Sequence, residues 1–320
     1  MQNIKNFDLE KVEYIDNHCH LHDKVFDQDR LEILQKLQAE KIAIISIGTD
    51  LAESQKAKDL ATTNSLNSLN NLENNSTEDL LNKNIFYTAG LHPHDNLQEF
   101  NLALEQPDLY FQKLKILAQH EKCVAIGETG LDYFYAKEDL EFRKQQKIIL
   151  EKHLDLAKEL NLPIMLHIRP SENKNSEGKI NREDAYLDAI EILQNYQEKY
   201  QMKLSGNFHF FVSTLNILEK ILQDLPGFTV SIPAVCTFTT EYDEMIKKIP
   251  LNKIHLETDS PYVLPKSRRK DFKRNQPNFV IDVFQKICEI KNFNTVTEKN
   301  NFQNILRENF RNLYFDFDQK

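Results

Sequence analysis

Short runs of apolar and β-branched residues recur along the chain, and segments with helical periodicity separate them. Eight such runs cover residues 12–18, 42–48, 85–91, 123–128, 163–168, 206–210, 228–232 and 253–257. Runs of this length and composition are typical of buried strands. Because helical segments lie between them, the pattern predicts repeated βα units and a parallel sheet.

Amphipathic patterns predict the helices, since each has apolar residues at helical spacing and a polar opposite face. They cover residues 29–40, 138–160, 183–200, 215–225 and 241–249, and two further helices lie near 278–290 and 298–314. Eight strands alternating with helices predict an α/β fold, specifically a (β/α)8 TIM-type barrel with extra C-terminal helices.

An open doubly wound sheet has the same alternation of elements and is the alternative architecture. The chain has seven glycines in 320 residues and no glycine-rich turn after the first predicted strand. This disfavours the dinucleotide-binding form of such a sheet. The length suits one barrel domain over residues 1–320, although two smaller domains also fit it.

Two polar stretches interrupt the pattern. The stretch 62–84 is dense in Asn and Ser, and a segment of this composition buries little apolar surface. We predict a surface insertion there, flexible in part. The polar loop 171–181 follows the fifth predicted strand, so a barrel would place it on the rim that carries the active site.

The charge of the chain bears on which binding partners are expected. The net charge is −9, which by itself disfavours a nucleic-acid binder, because neutralising phosphates requires local lysine and arginine. The segment 266–274 has six basic residues in nine. It is either a solvated surface loop or a local patch for phosphate, and its position directly after residues 257–261 favours the patch.

The cysteines and the apolar stretches indicate the compartment. Cys19, Cys123, Cys236 and Cys288 lie far apart and form no Cys-x-x-Cys pair, so we expect reduced, mostly buried thiols rather than disulfides or a thiolate zinc site. No signal-peptide pattern is present, and no segment approaches the roughly 18 apolar residues that span a bilayer. We predict a soluble, cytoplasmic protein with no membrane partner.

Residue types that commonly bind metals stand at the ends of the predicted strands. His18 and His20 end the first strand, where alternation points both side chains to one face. A lone His-x-His is also compatible with hydrogen-bonded polar residues. Four more such residues stand at the carboxyl ends of the fourth, fifth, sixth and eighth strands: Glu128, His167, His209 and Asp259. Because these ends meet on one rim of a barrel, the set predicts a metal centre.

The motifs around these residues resemble those of the TatD family of metal-dependent deoxyribonucleases, in the amidohydrolase superfamily. The resemblance covers nearly the whole chain and is carried by Ile15-Asp16-Asn17-His18-Cys19-His20-Leu21, Gly90-Leu91-His92-Pro93-His94, Gly127-Glu128-Thr129-Gly130-Leu131-Asp132, His167-Ile168-Arg169, Phe208-His209-Phe210-Phe211 and Glu257-Thr258-Asp259-Ser260-Pro261. It implies a barrel with two metals and exonuclease or endonuclease activity on DNA. We expect the substrate to be single-stranded or damaged DNA.

The family pattern also implies roles for the ligand residues. His18, His20, Glu128 and Asp259 would hold one divalent metal, with Glu128 bridging to a second metal held by His167 and His209. Imidazoles and carboxylates suit Mg²⁺, Mn²⁺ or Zn²⁺. Paired metals activate water and bind a phosphate oxygen, so we expect Glu128 and Asp259 to be catalytic, with Asp259 as general base.

Three residues are expected to bind the substrate. The resemblance suggests that His92 contacts phosphate rather than metal, although a turn-stabilising role beside Pro93 is the alternative. Arg169 and Arg274 can donate charge-assisted hydrogen bonds to phosphate oxygens. Gln276 stands where the family usually has an acidic residue, which we interpret as peripheral.

A second departure from the family pattern follows His209. Phe210-Phe211-Val212-Ser213 replaces a run that commonly contains glycine, which restricts the loop and makes the rim more apolar. Either phenylalanine can stack on bases, but burial is the favoured interpretation. Glu257 is expected to be structural.

Two other functions compete with DNA hydrolysis. One is another amidohydrolase reaction on a lactone, amide or phosphotriester, since the fold and metals are shared. Many such relatives bridge their metals with a carboxylated lysine, and the Glu128 motif favours the nuclease instead. The other is a non-catalytic metal-binding barrel, which the full set of ligand residues disfavours. The oligomeric state is open.

Overall fold

Eight parallel strands form the centre of the protein, seen in a computed structural model that describes residues 7–62, 82–173 and 180–316. They are β1 Tyr14–Cys19, β2 Ile42–Ile47, β3 Ile85–Ala89, β4 Cys123–Asp132, β5 Ile164–Arg169, β6 Gly206–Phe208, β7 Phe228–Ile232 and β8 Ile254–Leu256. Each strand pairs in parallel with the next in chain order. This confirms the predicted barrel and excludes the doubly wound sheet, whose strand order would reverse.

The barrel closes beside β8 rather than along its length. Cys19, the last residue of β1, forms a parallel bridge with Ser260, four residues beyond the end of β8. The amide of His20 donates to the carbonyl oxygen of Ser260 at 2.7 Å. The backbone after β8 therefore completes the carboxyl-terminal rim.

Helices surround the sheet. They are α1 Arg30–Ala39, α2 Leu51–Thr62, α3 Leu97–Glu105, α4 Pro107–Ala118, α5 Tyr133–Ala136, α6 Leu140–Leu160, α7 Asp184–Tyr200, α8 Leu215–Asp224, α9 Asp243–Lys248, α10 Val280–Ile290 and α11 Val296–Tyr314. The predicted C-terminal pair corresponds to α10 and α11. Four of these helices, α2 to α5, were absent from the prediction.

The buried side of α2 explains why its pattern is weak. That side consists mainly of small residues, among them Ser54 and Ala57, so the helix lacks the large apolar residues that mark an amphipathic stripe. A stronger signal marks α4, where Tyr110, Leu114 and Leu117 are buried at helical spacing. Pro107 occupies its first turn, where a missing N–H costs nothing.

Strand boundaries differ from the prediction where the metal-binding residues lie. β4 continues to Asp132, so Glu128 sits inside the strand rather than at its end. The pairing of β4 with β5 shifts register between Ile126 and Thr129, and Gly127 in this shift has a φ of +141°. A Cβ at position 127 would lie 2.4 Å from the carbonyl oxygen of Met165, so this position requires glycine.

β6 and β8 are shorter than predicted. They end at Phe208 and Leu256, which leaves His209 and Asp259 on the loops that follow. Loops at this end of a barrel are where active sites are built.

The predicted polar insertions fall largely outside the described residues. Within 62–84, Thr62 ends α2 and residues 82–84 form a turn before β3, while 63–81 are not described. Within 171–181, residues 174–179 are likewise outside the described part. All four cysteines are buried and free, as predicted. Across the described residues, no helix combines the length and apolarity needed to cross a bilayer.

Candidate metal centre

The six residues predicted as metal ligands meet at the carboxyl-terminal rim of the barrel. They come from five places in the chain: His18 in β1 and His20 just after it, Glu128 in β4, His167 in β5, His209 after β6, and Asp259 after β8. The first strand supplies two of them because side chains two apart share a face.

Glu128 lies at the centre of this cluster and is 3% exposed. Its Oε1 is 2.8 Å from His167 Nδ1 and 2.8 Å from His209 Nε2. Its Oε2 is 3.3 Å from His18 Nε2. One carboxylate therefore faces imidazoles from three different strands or strand ends.

Asp259 lies at the opening of the cluster. Its Oδ1 is 3.6 Å from His18 Nε2 and 3.5 Å from His20 Nε2. Its side chain is 14% exposed, against 0% for His18. Asp259 is thus a carboxylate that contacts both imidazoles of the first strand and still reaches solvent.

Among the described residues, three overlapping groups place their ligand atoms within 4.8 Å of one another. They are His18 with His209 and Asp259, His18 with His20 and Glu128, and His92 with Glu128 and His167. His92 was predicted to contact substrate, yet its Nε2 is 3.8 Å from Glu128 Oε1 and its ring packs on His167 at 4.3 Å. It therefore lies at the inner edge of the cluster.

The arrangement of the imidazoles fits divalent metal ions. His18 is fully buried, and although its Nε2 lies 3.3 Å from Glu128, neither of its ring nitrogens forms a well-aligned hydrogen bond. Its ring stacks on His209 at 3.8 Å between centroids, and His209 Nε2 lies 3.2 Å from His167 Nδ1. Buried imidazole nitrogens gathered around the carboxylates of Glu128 and Asp259 match the donor set of a Zn²⁺-type or Mn²⁺-type site. A buried polar atom without a partner is costly otherwise.

The carboxylate at the centre stays ionised. Burial opposes the charge on Glu128, but the imidazoles of His209, His18 and His167 outweigh burial and hold its pKa well below the usual range. The ionised form is the one that a metal ligand requires.

The pKa values of the histidines depend on the groups next to each ring. Burial opposes protonation of His167, but hydrogen bonds to Asp132 and Glu128 raise its pKa to about 9. Burial, followed by the charge on His167, holds the pKa of His92 well below the usual range. Burial opposes protonation of His209 as well, but Glu128 and Glu257 raise its pKa well above the usual range. A cation held by these imidazoles would compete with their protons.

Asp132 supports His167 and was not singled out from the sequence. Its Oδ2 is 3.3 Å from His167 Nε2, and its side chain is 1% exposed. A carboxylate behind a metal-binding imidazole fixes the orientation of the ring. The predicted strand ends at Glu128, so only the observed extension of β4 to Asp132 puts the two residues on one strand, at an even spacing that shares a face.

Glu257 and Asp16 hold the surrounding backbone. Glu257 is fully buried; its Oε1 accepts from the amide of Phe210 at 2.6 Å and lies 3.6 Å from His209 Nδ1. Asp16 accepts from the amide and hydroxyl of Thr258 at 2.8 and 2.6 Å. These contacts agree with the structural role predicted for Glu257.

The two predicted arginines lie in different surroundings. The Arg169 guanidinium is 3.9 Å from the centroid of the Phe134 ring. Arg274 pairs with Asp29 and lies 4.1 Å above the ring of Phe26. Its partners among the described residues thus belong to the loop before α1 rather than to the metal-binding cluster.

Some of the remaining rim residues pack or pair within the fold, and others are exposed. Phe211 is 1% exposed and packs on Tyr186, whereas Phe210 is half-buried. In the basic segment, Arg268 forms an ion pair with Asp282. Four other basic residues of that segment are exposed: Lys266, Arg269, Lys270 and Lys273.

Comparison with known proteins identifies a family. The sequence model of the family described as "TatD related DNase" matches residues 15–315. The chain is 28% identical to the "uncharacterized metal-dependent hydrolase" YabD of Bacillus subtilis, over 86% of this chain and 90% of that protein. It is 29% identical to a human protein named "3′-5′ RNA nuclease TATDN2", over 67% of this chain and 25% of that protein.

A solved structure has the same fold. The TatD family hydrolase of Entamoeba histolytica superimposes with a TM-score of 0.71 at 24% identity, covering 96% of this chain and 99% of that one. At this identity the likeness supports the barrel fold.

Proposed function

Because the chain belongs to the TatD family of metal-dependent hydrolases, we propose that it hydrolyses phosphodiester bonds in DNA. The observation that carries this proposal is the convergence of imidazoles on Glu128, with Asp259 between that cluster and solvent. We further propose single-stranded or damaged DNA as the substrate and the cytoplasm as its location.

Two divalent ions, Mg²⁺, Mn²⁺ or Zn²⁺, fit the ligand residues. His18, His20, Glu128 and Asp259 would hold one, and Glu128 with His167 and His209 would hold the other. When bound, such ions polarise the phosphate and activate water for attack.

The protein's own groups carry the remaining roles. Asp259 has its carboxylate open to solvent beside His20, so it would accept the proton of the attacking water. His92 follows β3 and lies 3.8 Å from Glu128, and Arg169 is two residues beyond His167 on β5. Both would bind phosphate oxygens. We assign Arg274 a supporting role at most, since Asp29 neutralises it.

RNA is the second candidate substrate, because the human relative carries the name of an RNA nuclease. Both polymers present the same phosphodiester to the metal ligands. Discrimination between them would depend on contacts to the 2′-hydroxyl.

The test uses purified protein with end-labelled single-stranded DNA, double-stranded DNA and RNA, in Mg²⁺, Mn²⁺ or Zn²⁺ and in chelator. We expect shortening of DNA that stops in chelator and in Asp259→Asn. The matched control is Asp155→Asn, since Asp155 is a half-buried carboxylate on α6 that bonds Tyr196.

Each alternative predicts a different result. If the protein cleaves RNA and leaves DNA intact, the substrate is RNA. Lactone, amide or phosphotriester hydrolysis with intact nucleic acid would support another amidohydrolase reaction. Metal binding without turnover of any of these substrates would support a non-catalytic barrel.

A further inference from the structure

Beside the metal centre, an aromatic and cationic cluster remains open to solvent. It consists of Phe134, Tyr135, Arg169 and His94, and we call it the Tyr135 cluster. The His94 ring stacks on Tyr135 at 3.9 Å and 5°. The Arg169 guanidinium lies 3.9 Å from the Phe134 centroid and 5.5 Å from the Tyr135 centroid.

Tyr135 is 51% exposed although His94 covers one of its ring faces. A large aromatic side chain that keeps half of its surface in water gains little from folding. The stack with His94 nevertheless holds the ring in one orientation. Tyr135 thus presents a rigid aromatic surface to solvent.

Hydrogen bonds tie this cluster to the metal-binding residues. The Tyr135 amide donates to Asp132 Oδ1 at 3.1 Å, and Asp132 Oδ2 lies 3.3 Å from His167 Nε2. The His94 amide donates to His92 Nδ1 at 3.2 Å. Arg169 is two residues beyond His167 on β5. The cluster therefore lies within two residues or two hydrogen bonds of the centre.

Arg169 keeps its charge available. Among the described residues it has no carboxylate partner, and its guanidinium is held by aromatic rings instead. Arg268, by contrast, is neutralised by Asp282. A guanidinium held over an aromatic ring and free of acids is a common arrangement for binding phosphate.

We propose that the Tyr135 cluster is a binding subsite for an unpaired nucleobase of single-stranded nucleic acid, with Arg169 on the neighbouring phosphate. The base stacks on the exposed surface of Tyr135. This inference rests on the proposed phosphodiesterase function and adds the reason for a single strand, since a base inside a duplex has both faces covered by its neighbours.

The test compares metal-loaded wild type with Tyr135→Ala on two probes. One is oligothymidylate of about twelve nucleotides, and the other is an equally long phosphodiester of abasic tetrahydrofuran units. Tyr135→Phe retains the stacking surface. Tyr200→Ala is the matched control, because Tyr200 is an exposed tyrosine with Lys158 over its ring at the end of α7, on the opposite face of the barrel.

We expect Tyr135→Ala to raise KM for oligothymidylate by about 5-fold to 100-fold, which is the usual loss for one stacked base. The value of kcat, and KM for the abasic probe, should stay near wild type. Tyr135→Phe and Tyr200→Ala should behave as wild type on both probes. Equal increases in KM on both probes, or no increase on either, would overturn the subsite.

A binding measurement separates this inference from the proposed function. Fluorescence anisotropy with labelled oligothymidylate is recorded for the same variants. If wild type cleaves nothing but binds the probe in a manner that depends on Tyr135, the hydrolytic function fails and the subsite stands. Equal affinity of wild type and Tyr135→Ala would overturn the subsite whether or not cleavage occurs.

Discussion

The backbone amide of Asp259 donates a hydrogen bond to the carbonyl oxygen of His18, across 2.9 Å. The amide of His20, two residues beyond His18, donates to the carbonyl oxygen of Ser260, the residue after Asp259, at 2.7 Å. These two bonds close the barrel and also place the Asp259 carboxylate beside the imidazoles of the first strand. Closing the barrel and assembling the centre are therefore one structural event.

The Asp259 side chain and backbone can be tested separately. Asp259 has a φ of +53°, a left-handed conformation that Asp and Asn tolerate better than Ala. We expect Asp259→Asn and Asp259→Ala each to lower kcat by about 100-fold to 10,000-fold, the usual range for loss of a general base. In chelator, only Asp259→Ala should also lose about 1 kcal/mol in urea unfolding. Equal stability of the two variants would show that the backbone is not strained.

Asp132 should control metal affinity through His167. In Asp132→Asn the Oδ1 acceptor for Tyr135 can remain while the charge behind His167 Nε2 is lost. We expect affinity for Mn²⁺ or Zn²⁺ to fall by about 10-fold to 100-fold, as for other carboxylates behind a ligand imidazole. Calorimetric titration measures this, with Asp155→Asn as the control. Unchanged affinity would mean that His167 is oriented without Asp132.

Residues of the basic segment 266–274 should serve two different roles, DNA binding and stability of the fold. Arg269 and Lys270 are exposed, so replacing both by Ala should reduce the slope of log affinity for DNA against log salt by about 1 to 2. Arg268 instead bonds Asp282 and lies 4.7 Å from the Phe279 ring. Arg268→Ala should cost about 1 kcal/mol of stability and leave the slope unchanged. A slope that responds only to Arg268→Ala would contradict this division.

His153 should make the fold sensitive to mild acid. It is fully buried, its Nε2 accepts from the Leu91 amide at 3.0 Å, and burial lowers its pKa to about 4. At high pH the folded and unfolded states are both neutral at this residue. As the pH falls from about 6.5 to about 4, the unfolded state takes up a proton and the folded state does not, so up to about 3 kcal/mol of stability is lost.

His153→Gln supplies the comparison, because an amide oxygen can still accept from Leu91 but does not titrate. We expect the variant to be less stable near neutral pH, yet to lose about 3 kcal/mol less between about pH 6.5 and about pH 4. Urea unfolding in chelator across that range measures both slopes. Parallel slopes for the two proteins would show that His153 does not carry the acid sensitivity.

The barrel was predictable because its pattern is local. Apolar runs of strand length appear in the chain at all eight observed strands, and the order of a βα barrel follows directly from chain order. The prediction failed where local signals are weak. α2 buries small residues such as Ala57, and the register shift at Gly127 extends β4 beyond its apolar run.

The convergence of the six candidate ligands on one rim was also within reach of the sequence. His18 and His20 share a face through alternation, and the other four candidate ligands lie in or just after strands whose carboxyl ends meet on one rim. The contacts that these and neighbouring residues make with one another could not be predicted from the sequence. The contact of His92 with Glu128 and His167 could not be predicted from the spacing of residues along the chain. The same holds for the ion pair of Arg274 with Asp29.

The sequence by itself therefore determined the order of strands, the rim on which the chemistry lies and the residue types that gather there, since each depends on periodicity along neighbouring residues. Tertiary structure alone decided which atoms meet. Asp259 and His18 lie far apart in the chain and become neighbours only when the barrel closes, and Tyr135 gains its stacked partner His94 only when the loops after β3 and β4 pack together. Contacts of that kind depend on the angle and register of distant strands, which no local pattern encodes.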